Sequence, residues 1–382
     1  MSKTPAAKLA KLAVSRRLRS TPYTPRIEAL GVSDYSIVNH TVLPKGFGKS
    51  VDEDYWHLRE HVQLWDVSCQ RQVEVKGPDA ARLVQMMTPR DLRDATVGQC
   101  FYAPLIDDKA GMLNDPIILI LAEDHYWLSI ADSDVLLWAK GLAVGLSLDV
   151  DIDEPDVSPL AVQGPKSDEL VSRVFGDEVR SLGFFRFLKL DFEGHPLVVA
   201  RSGYSKQGGF EIYLDDSALG LRLWDAFWDA GHDLNVRPGS PNLIERIEGG
   251  LMSYGNEFTR DNNPLECGLA QYCTLDSSLD YIGRLALEKI HQKGPQKIIR
   301  GICFEGDRCM PCASTWKLSH NGANAGYITS AIWSPRFECN IAMAMMNIAY
   351  AGENQALTVH LPEGSSVAGV VKPLPFPPDS GP

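Results

Sequence analysis

Short runs of alternating polarity dominate the chain, and helical spacing breaks in at a few places. Residues 196–200 are apolar and partly β-branched. After a glycine-containing loop, Phe210, Ile212 and Leu214 alternate with Glu211 and Tyr213. This pattern predicts strand, loop and strand, with the Glu211 carboxylate and the Tyr213 phenol on one face. Gly208 and Gly209, directly before the second strand, let backbone and ligand approach closely. Two readings fit: a hairpin with a polar outer face, or a wall that holds a flat, nitrogen-rich ring.

The segment Val75-Lys76-Gly77-Pro78-Asp79-Ala80-Ala81-Arg82-Leu83-Val84 returns 87 residues later as Val162-Gln163-Gly164-Pro165-Lys166-Ser167-Asp168-Glu169-Leu170-Val171. Each copy predicts a strand end, a Gly-Pro turn and a helix opening just after the proline. Apolar residues then follow at helical spacing: Ala80, Leu83, Val84 and Met87 in one copy, Leu170, Val171 and Val174 in the other. β-rich stretches come next, at 100–106, 116–121 and 126–130 after the first helix and at 185–190, 197–201 and 210–214 after the second. Helices packed on antiparallel sheets, twice over, predict an α+β body of two related α+β subdomains. Amphipathic helices are expected at 218–230 and 242–254. Beyond Arg300, short strands separated by Gly, Asn and Pro predict a small, barrel-like all-β C-terminal domain. The expected division is 1–54 with 157–285, then 55–156, then 286–382.

Bulk properties narrow the function. The 382 residues are 44% hydrophobic and 23% charged, enough for a large core. A net charge of -12 argues against a nucleic-acid partner and does not suggest a membrane surface. No apolar run approaches the length of a membrane span. Lys3, Lys8, Lys11, Arg16, Arg17, Arg19 and Arg26 precede the first acid, Glu28, and no secretory apolar core accompanies them. A basic arm on an acidic body and a transit peptide both fit this start. The eight cysteines are too sparse for a disulfide scaffold and suit a reducing, cytoplasmic setting. Cys309-Met310-Pro311-Cys312 lacks a second pair, and His57-Leu58-Arg59-Glu60-His61 lacks a third ligand, so no metal site is expected.

Gly-x-Gly-x-x-Gly, P-loop, Gly-x-Ser-x-Gly and His-Glu-x-x-His patterns are absent, which removes phosphate grips and common hydrolases. Isolated polar residues remain. Asp115 opens the apolar run 116–121, either as a carboxylate at a strand mouth or as a turn cap. Tyr102, on the neighbouring predicted strand, is core or ligand. Arg246 and Glu248 share a helix, either as a surface ion-pair face or as site residues.

These residues lie within an ordered series of motifs. It runs through Leu64-Trp65-Asp66-Val67-Ser68, Gly111-Met112-Leu113-Asn114-Asp115, Arg201-Ser202-Gly203-Tyr204 with Gly209-Phe210-Glu211-Ile212-Tyr213, and Arg246-Ile247-Glu248. It continues through Pro264-Leu265-Glu266-Cys267-Gly268-Leu269, Tyr281-Ile282-Gly283-Arg284 and Thr329-Ser330-Ala331-Ile332-Trp333-Ser334-Pro335. Over nearly its whole length the chain resembles the folate-dependent aminomethyltransferase (glycine-cleavage T-protein) superfamily. Where the T-protein has Gly-Tyr-Thr-Gly-Glu, this chain reads Gly203-Tyr204-Ser205-Lys206-Gln207-Gly208-Gly209. That loop is similar to the superfamily branch that demethylates dimethylsulfoniopropionate, although Tyr204 stands where the branch usually has tryptophan.

The resemblance implies a folate-binding body and transfer of a methyl group from dimethylsulfoniopropionate to N5 of tetrahydrofolate, the co-substrate. The products would be methylmercaptopropionate and 5-methyltetrahydrofolate. It implies Asp115 and Tyr213 at the reacting centre, and folate contacts from Tyr102, Asp115, Ser129, Ile130, Tyr204, Glu211, Tyr213 and Arg246. Tyr204, Tyr213, Phe184 and Phe185 would form the aromatic wall around the sulfonium. The implied partners are the sulfonium substrate and folate, with a homodimer left open. Another small methylated donor, the T-protein reaction with its lipoyl carrier, and a non-catalytic folate-binding role stay as alternatives.

Overall fold

The two Gly-Pro turns of the repeat fold alike. In the computed structural model, which describes residues 14–275 and 278–378, Gly77 has φ +125° and Gly164 has φ +122°. A Cβ would stand 2.8 Å from the Asp149 carbonyl oxygen at Gly77 and 2.4 Å from that of His61 at Gly164, so both turns require glycine. Each turn closes a strand and opens a helix, Ala80–Met86 after the first and Ser167–Phe175 after the second. Each helix then covers the outer face of its own sheet. Leu83 and Val84 pack on Val73, Val75 and Ile118, while Leu170, Val171 and Phe175 pack on Leu160, Val162 and Ile212.

The first sheet is antiparallel and five-stranded, in the order Asp151–Asp153, Gln72–Lys76, His125–Ser129, Ile117–Ala122, Cys100–Tyr102. The second has six strands, in the order Phe187–Phe192, His195–Ala200, Gly209–Leu214, Ser158–Gln163, Val62–Asp66, Val236–Gly239, with the last pair parallel. Val62–Asp66 lies within the 55–156 stretch expected for the other subdomain, yet it pairs with Ser158–Gln163. All five of its residues are buried, as a central strand requires. The inner faces of the two sheets press together: Leu119, Leu121 and Trp127 meet Val198, Ala200 and Tyr213. The C-terminal strands, from Lys297–Phe304 to Ser366–Lys372, close into a six-stranded barrel. It docks through Ile341 and Met343 on Tyr55, Ile244 and Ile247. The α+β body with a C-terminal barrel is therefore the fold that the pattern predicted.

Several local expectations change. The run 100–106 breaks at Ala103-Pro104, because proline offers no ladder donor, and Leu105–Ile106 turns away to pair with Met112–Asn114. The helix expected over 242–254 is only Leu243–Glu248, capped by the Asn242 side chain and ended at Gly249. Arg284–Lys293 is a helix that was not among those expected. Lys3, Lys8 and Lys11 lie outside the described residues, whereas Arg19 pairs with Glu154 and Arg26 with Asp225 on the acidic body. Among the described residues no helix is long and apolar enough to cross a membrane.

Candidate active site

Residues of both sheets, the 201–209 loop, the 249–256 segment and the barrel enclose a cavity of about 1600 Å³. Glu211 lies in the middle of Gly209–Leu214 and faces this space. Its register neighbours are Ala161 and Ala200, whose methyl groups leave that face open. The opposite face of the strand, Phe210, Ile212 and Leu214, fills the helix-covered core. The alternation holds, but the polar side is an inner wall and not an outer surface: Glu211 is 5% exposed.

The Ser202 hydroxyl donates to Glu211 Oε2 at 2.5 Å, and the Tyr213 hydroxyl reaches the same oxygen at 3.5 Å. Among the described residues Oε1 receives no hydrogen bond and no cation pairs with the carboxylate. Burial pushes its pKa up. The loop before it is fixed by Gln163. The Gln163 side-chain amide donates to the Ser202 carbonyl at 3.1 Å and its oxygen accepts the Ser205 hydroxyl at 2.7 Å. Gly203 (φ +152°) and Gly209 (φ +151°) lie so close to Gln163 that a Cβ at either would come within 2.4 Å of its amide.

Asp115 comes from the other sheet, between Met112–Asn114 and Ile117–Ala122. The Tyr102 hydroxyl donates to Asp115 Oδ2 at 2.9 Å, and the Asn114 side chain accepts the Asp115 backbone N–H at 3.0 Å. Burial raises the Asp115 pKa to about 7 against the opposing Tyr102 hydrogen bond. The Tyr102 ring meets Tyr272 edge-on at 5.2 Å. Tyr204 sits on the loop side, its hydroxyl directed at the carbonyls of Leu251 (3.0 Å) and Met252 (2.5 Å). Phe184 and Phe185 stack at 4.3 Å, with Phe184 67% exposed at the rim. Ser129, held by the Gln72 side chain at 3.0 Å, and Ile130 end a strand at the same cavity.

Tyr102, Asp115, Ser129, Ile130, Phe184, Phe185, Tyr204, Glu211 and Arg246 thus line one space. Tyr213 does not. It is fully buried behind Glu211, with its ring 6.2 Å from Trp127 in the seam between the sheets. Arg246 lines the wall, but its guanidinium is committed to Glu257 (2.6 Å) and to the Ser330 hydroxyl (2.7 Å). Glu248 is likewise buried, accepting Tyr55 at 2.9 Å and Ser334 at 2.6 Å, so this helix carries no surface ion-pair face. Lys45, Gln163, Tyr254 and Tyr272 line the cavity without having been expected there. Gln163 alone carried a sequence signal, since it precedes the repeated Gly-Pro turn. His57 bonds the Asn235 carbonyl and His61 contacts Lys166. No group that could hold a metal occurs among the described residues.

A reduced pterin presents an amino group and ring N–H donors along one edge. The open Oε1 of Glu211, at a wall of small neighbours, fits that edge. Residues 26–277 match the GCVT N-terminal domain, and residues 300–376 match the glycine cleavage T-protein C-terminal barrel domain. Dimethylsulfoniopropionate demethylase DmdA of Ruegeria pomeroyi is 49% identical over 356 residues, covering 93% of this chain and 97% of that protein. An aminomethyltransferase of Chlorobaculum tepidum is 32% identical over 329 residues, covering 84% and 88%. The crystal structure of glycine cleavage system aminomethyltransferase T from Bartonella henselae superposes with a TM-score of 0.84 at 24% identity. It covers 95% of this chain and 99% of that one, and so has the same fold.

Proposed function

The chain belongs to the glycine cleavage T-protein family, and from that premise we propose that it is a tetrahydrofolate-dependent demethylase. It moves a methyl group from dimethylsulfoniopropionate to N5 of tetrahydrofolate, releasing methylmercaptopropionate and 5-methyltetrahydrofolate. The observation that carries this reading is the buried Glu211 carboxylate and the half-buried Asp115 carboxylate, brought from two sheets to one cavity that Tyr102 and Tyr204 also line. The 49% identity to DmdA supports this donor over a glycine derivative.

Tetrahydrofolate supplies the nucleophilic nitrogen. A sulfonium already holds a good leaving group, so the protein's task is alignment and exclusion of water. Glu211 accepts N–H donors from the pterin edge and sets the plane of the ring, with Ser202 and Tyr213 holding the carboxylate. Tyr102 and Tyr204, joined by Tyr254 and Tyr272, present aromatic faces to the sulfonium. The carbon–sulfur bond breaks with its electron pair left on sulfur as the carbon–nitrogen bond forms. Asp115 offsets the donor's charge and, with a pKa of about 7, is poised to accept the proton that methylation releases. Cys267, also at the cavity, is kept as a thiol by burial and does not compete as a nucleophile.

The test is incubation of the purified chain with tetrahydrofolate and dimethylsulfoniopropionate, following both products by mass spectrometry. One-to-one formation of methylmercaptopropionate and 5-methyltetrahydrofolate is expected. Silence with this donor alongside turnover of dimethylglycine would overturn the assignment.

A further inference from the structure

The cavity holds a cation that the reaction as described does not use. Lys45 sits on Thr41–Gly46, which pairs with Asp34–Val38 in a two-stranded ribbon that forms part of the cavity wall. Asp34 faces Gly46 and Tyr35 faces Pro44, so Lys45 is the extra residue of a bulge with no partner opposite it. Bulges of this kind re-aim a side chain and recur beside active sites. Lys45 is exposed and is one of the residues that line the cavity.

The other cations at the cavity are placed differently. Arg246 is paired with Glu257. Arg300 donates to the carbonyls of Ala351 (3.1 Å) and Ile299 (3.0 Å). Lys206, exposed like Lys45, is carried on the 201–209 loop, its stem lying against Gly249. Among the described residues the Lys45 ammonium has neither an ion pair nor a hydrogen bond. Neighbouring protein atoms, reinforced by Arg246, lower its pKa.

Both substrates carry carboxylates. The donor is a zwitterion with a propionate two methylenes from its sulfonium, and folate ends in a glutamate. The aromatic rings and Asp115 answer the positive pole of the donor, but none of the groups assigned so far answers a negative one. We propose that Lys45 is the carboxylate anchor of the cavity, receiving either the propionate of the sulfonium donor or the glutamate tail of folate. This rests on the reading of the site as a folate-dependent methyl-transfer site.

The experiment compares the full chain with Lys45→Met and Lys45→Arg. Initial rates are measured with both substrates varied, and affinities for tetrahydrofolate and for dimethylsulfoniopropionate are measured separately by calorimetry. A charge-assisted contact predicts that Lys45→Met raises KM for one substrate roughly ten- to a hundredfold with kcat within about threefold, and that Lys45→Arg recovers most of the loss. A rise confined to dimethylsulfoniopropionate, matched by a lost preference over trimethylsulfonium, places the donor's propionate at Lys45. A rise confined to tetrahydrofolate places the glutamate tail there. Unchanged KM and unchanged affinity for both substrates in folded Lys45→Met, checked by circular dichroism, overturns the anchor. If the unmodified chain fails to turn over the donor, the proposed reaction falls, and the calorimetric affinities for the two carboxylate ligands still decide the role of Lys45.

Discussion

Glu211 and Tyr213 share one face of one strand, yet only Glu211 reaches the cavity; the Tyr213 hydroxyl ends 3.5 Å from Glu211 Oε2, with its ring against Trp127 between the sheets. Two residues along a strand cover roughly 7 Å, enough to pass from the cavity wall into the seam. In the proposed reaction Tyr213 therefore acts on folate only through Glu211.

The two variants should separate by readout. Glu211→Ala removes the acceptor for the pterin donors and should raise the dissociation constant for tetrahydrofolate roughly ten- to a hundredfold. Tyr213→Phe keeps the ring and loses one long hydrogen bond, so it should change affinity and kcat by about threefold or less. Fluorescence titration with the folate and single-turnover rates check both. A collapse of kcat in Tyr213→Phe at normal folate affinity would return Tyr213 to the reacting centre.

Asp115 links rate and stability to pH in opposite senses. Its folded pKa of about 7 lies above the ordinary carboxyl value, so between about pH 4 and 7 the folded state holds a proton that the unfolded chain has released. Stability from this group is thus lost as pH rises through that window. Asp115→Asn removes the effect and should melt above the unmodified protein at pH 8, with the gap closing towards pH 4. The rate should behave the other way, rising to a plateau as Asp115 ionises. In Asp115→Asn it should fall roughly a hundredfold and lose that limb of the profile. Differential scanning calorimetry and a pH–rate series read the two effects; a variant that melts lower at pH 8 would count against a strained, raised carboxyl.

Much of this architecture is legible in the residues because local chemistry is decisive there. The repeated Gly-Pro turns need glycine for a close approach, and the Phe210–Leu214 alternation needs one buried face. The depth of a residue is not legible in the same way. Tyr213 and Glu211 read alike in sequence, and a second sheet stacked above decides which one meets the cavity. Arg246 reads as a candidate folate contact, but Glu257, eleven residues on, occupies it in the folded chain. Lys45 carries no motif at all: a strand irregularity and the enclosing wall give it its place.

Arg246 should behave as a structural cation. Its partner Glu257 has no exposed side chain and also accepts the Ser330 hydroxyl and the Ser253 backbone N–H at 2.5 and 2.7 Å, tying body to barrel. Arg246→Met leaves that carboxylate buried without a cation, which typically costs about 3–5 kcal/mol. Urea unfolding should show a loss of that size, largely recovered in the double variant Arg246→Met with Glu257→Met. A stable single variant with weakened folate binding would instead make Arg246 a ligand contact.

Tyr204 offers two separable contributions, a ring and a hydroxyl. The hydroxyl ties the 201–209 loop to the carbonyls of Leu251 and Met252, on a segment that also lines the cavity. The ring faces the space assigned to the sulfonium, where a cation–π contact is worth about 0.5–2 kcal/mol. Tyr204→Phe keeps the ring and cuts the tie, so it should lower the thermal midpoint and loosen both substrates by similar, few-fold factors. Tyr204→Leu removes both, and should add a selective rise of roughly threefold to thirtyfold in KM for dimethylsulfoniopropionate without a matching rise for tetrahydrofolate. Tyr204→Trp tests the residue expected from the resemblance. Its larger ring should keep donor affinity, while its single N–H, placed differently from the phenol, restores the tie only if the 251–252 backbone shifts to meet it. Steady-state kinetics with each substrate varied, paired with melting curves, read the two contributions apart. A donor KM that moves equally in Tyr204→Phe and Tyr204→Leu would assign the whole effect to the hydroxyl and remove this ring from the sulfonium wall.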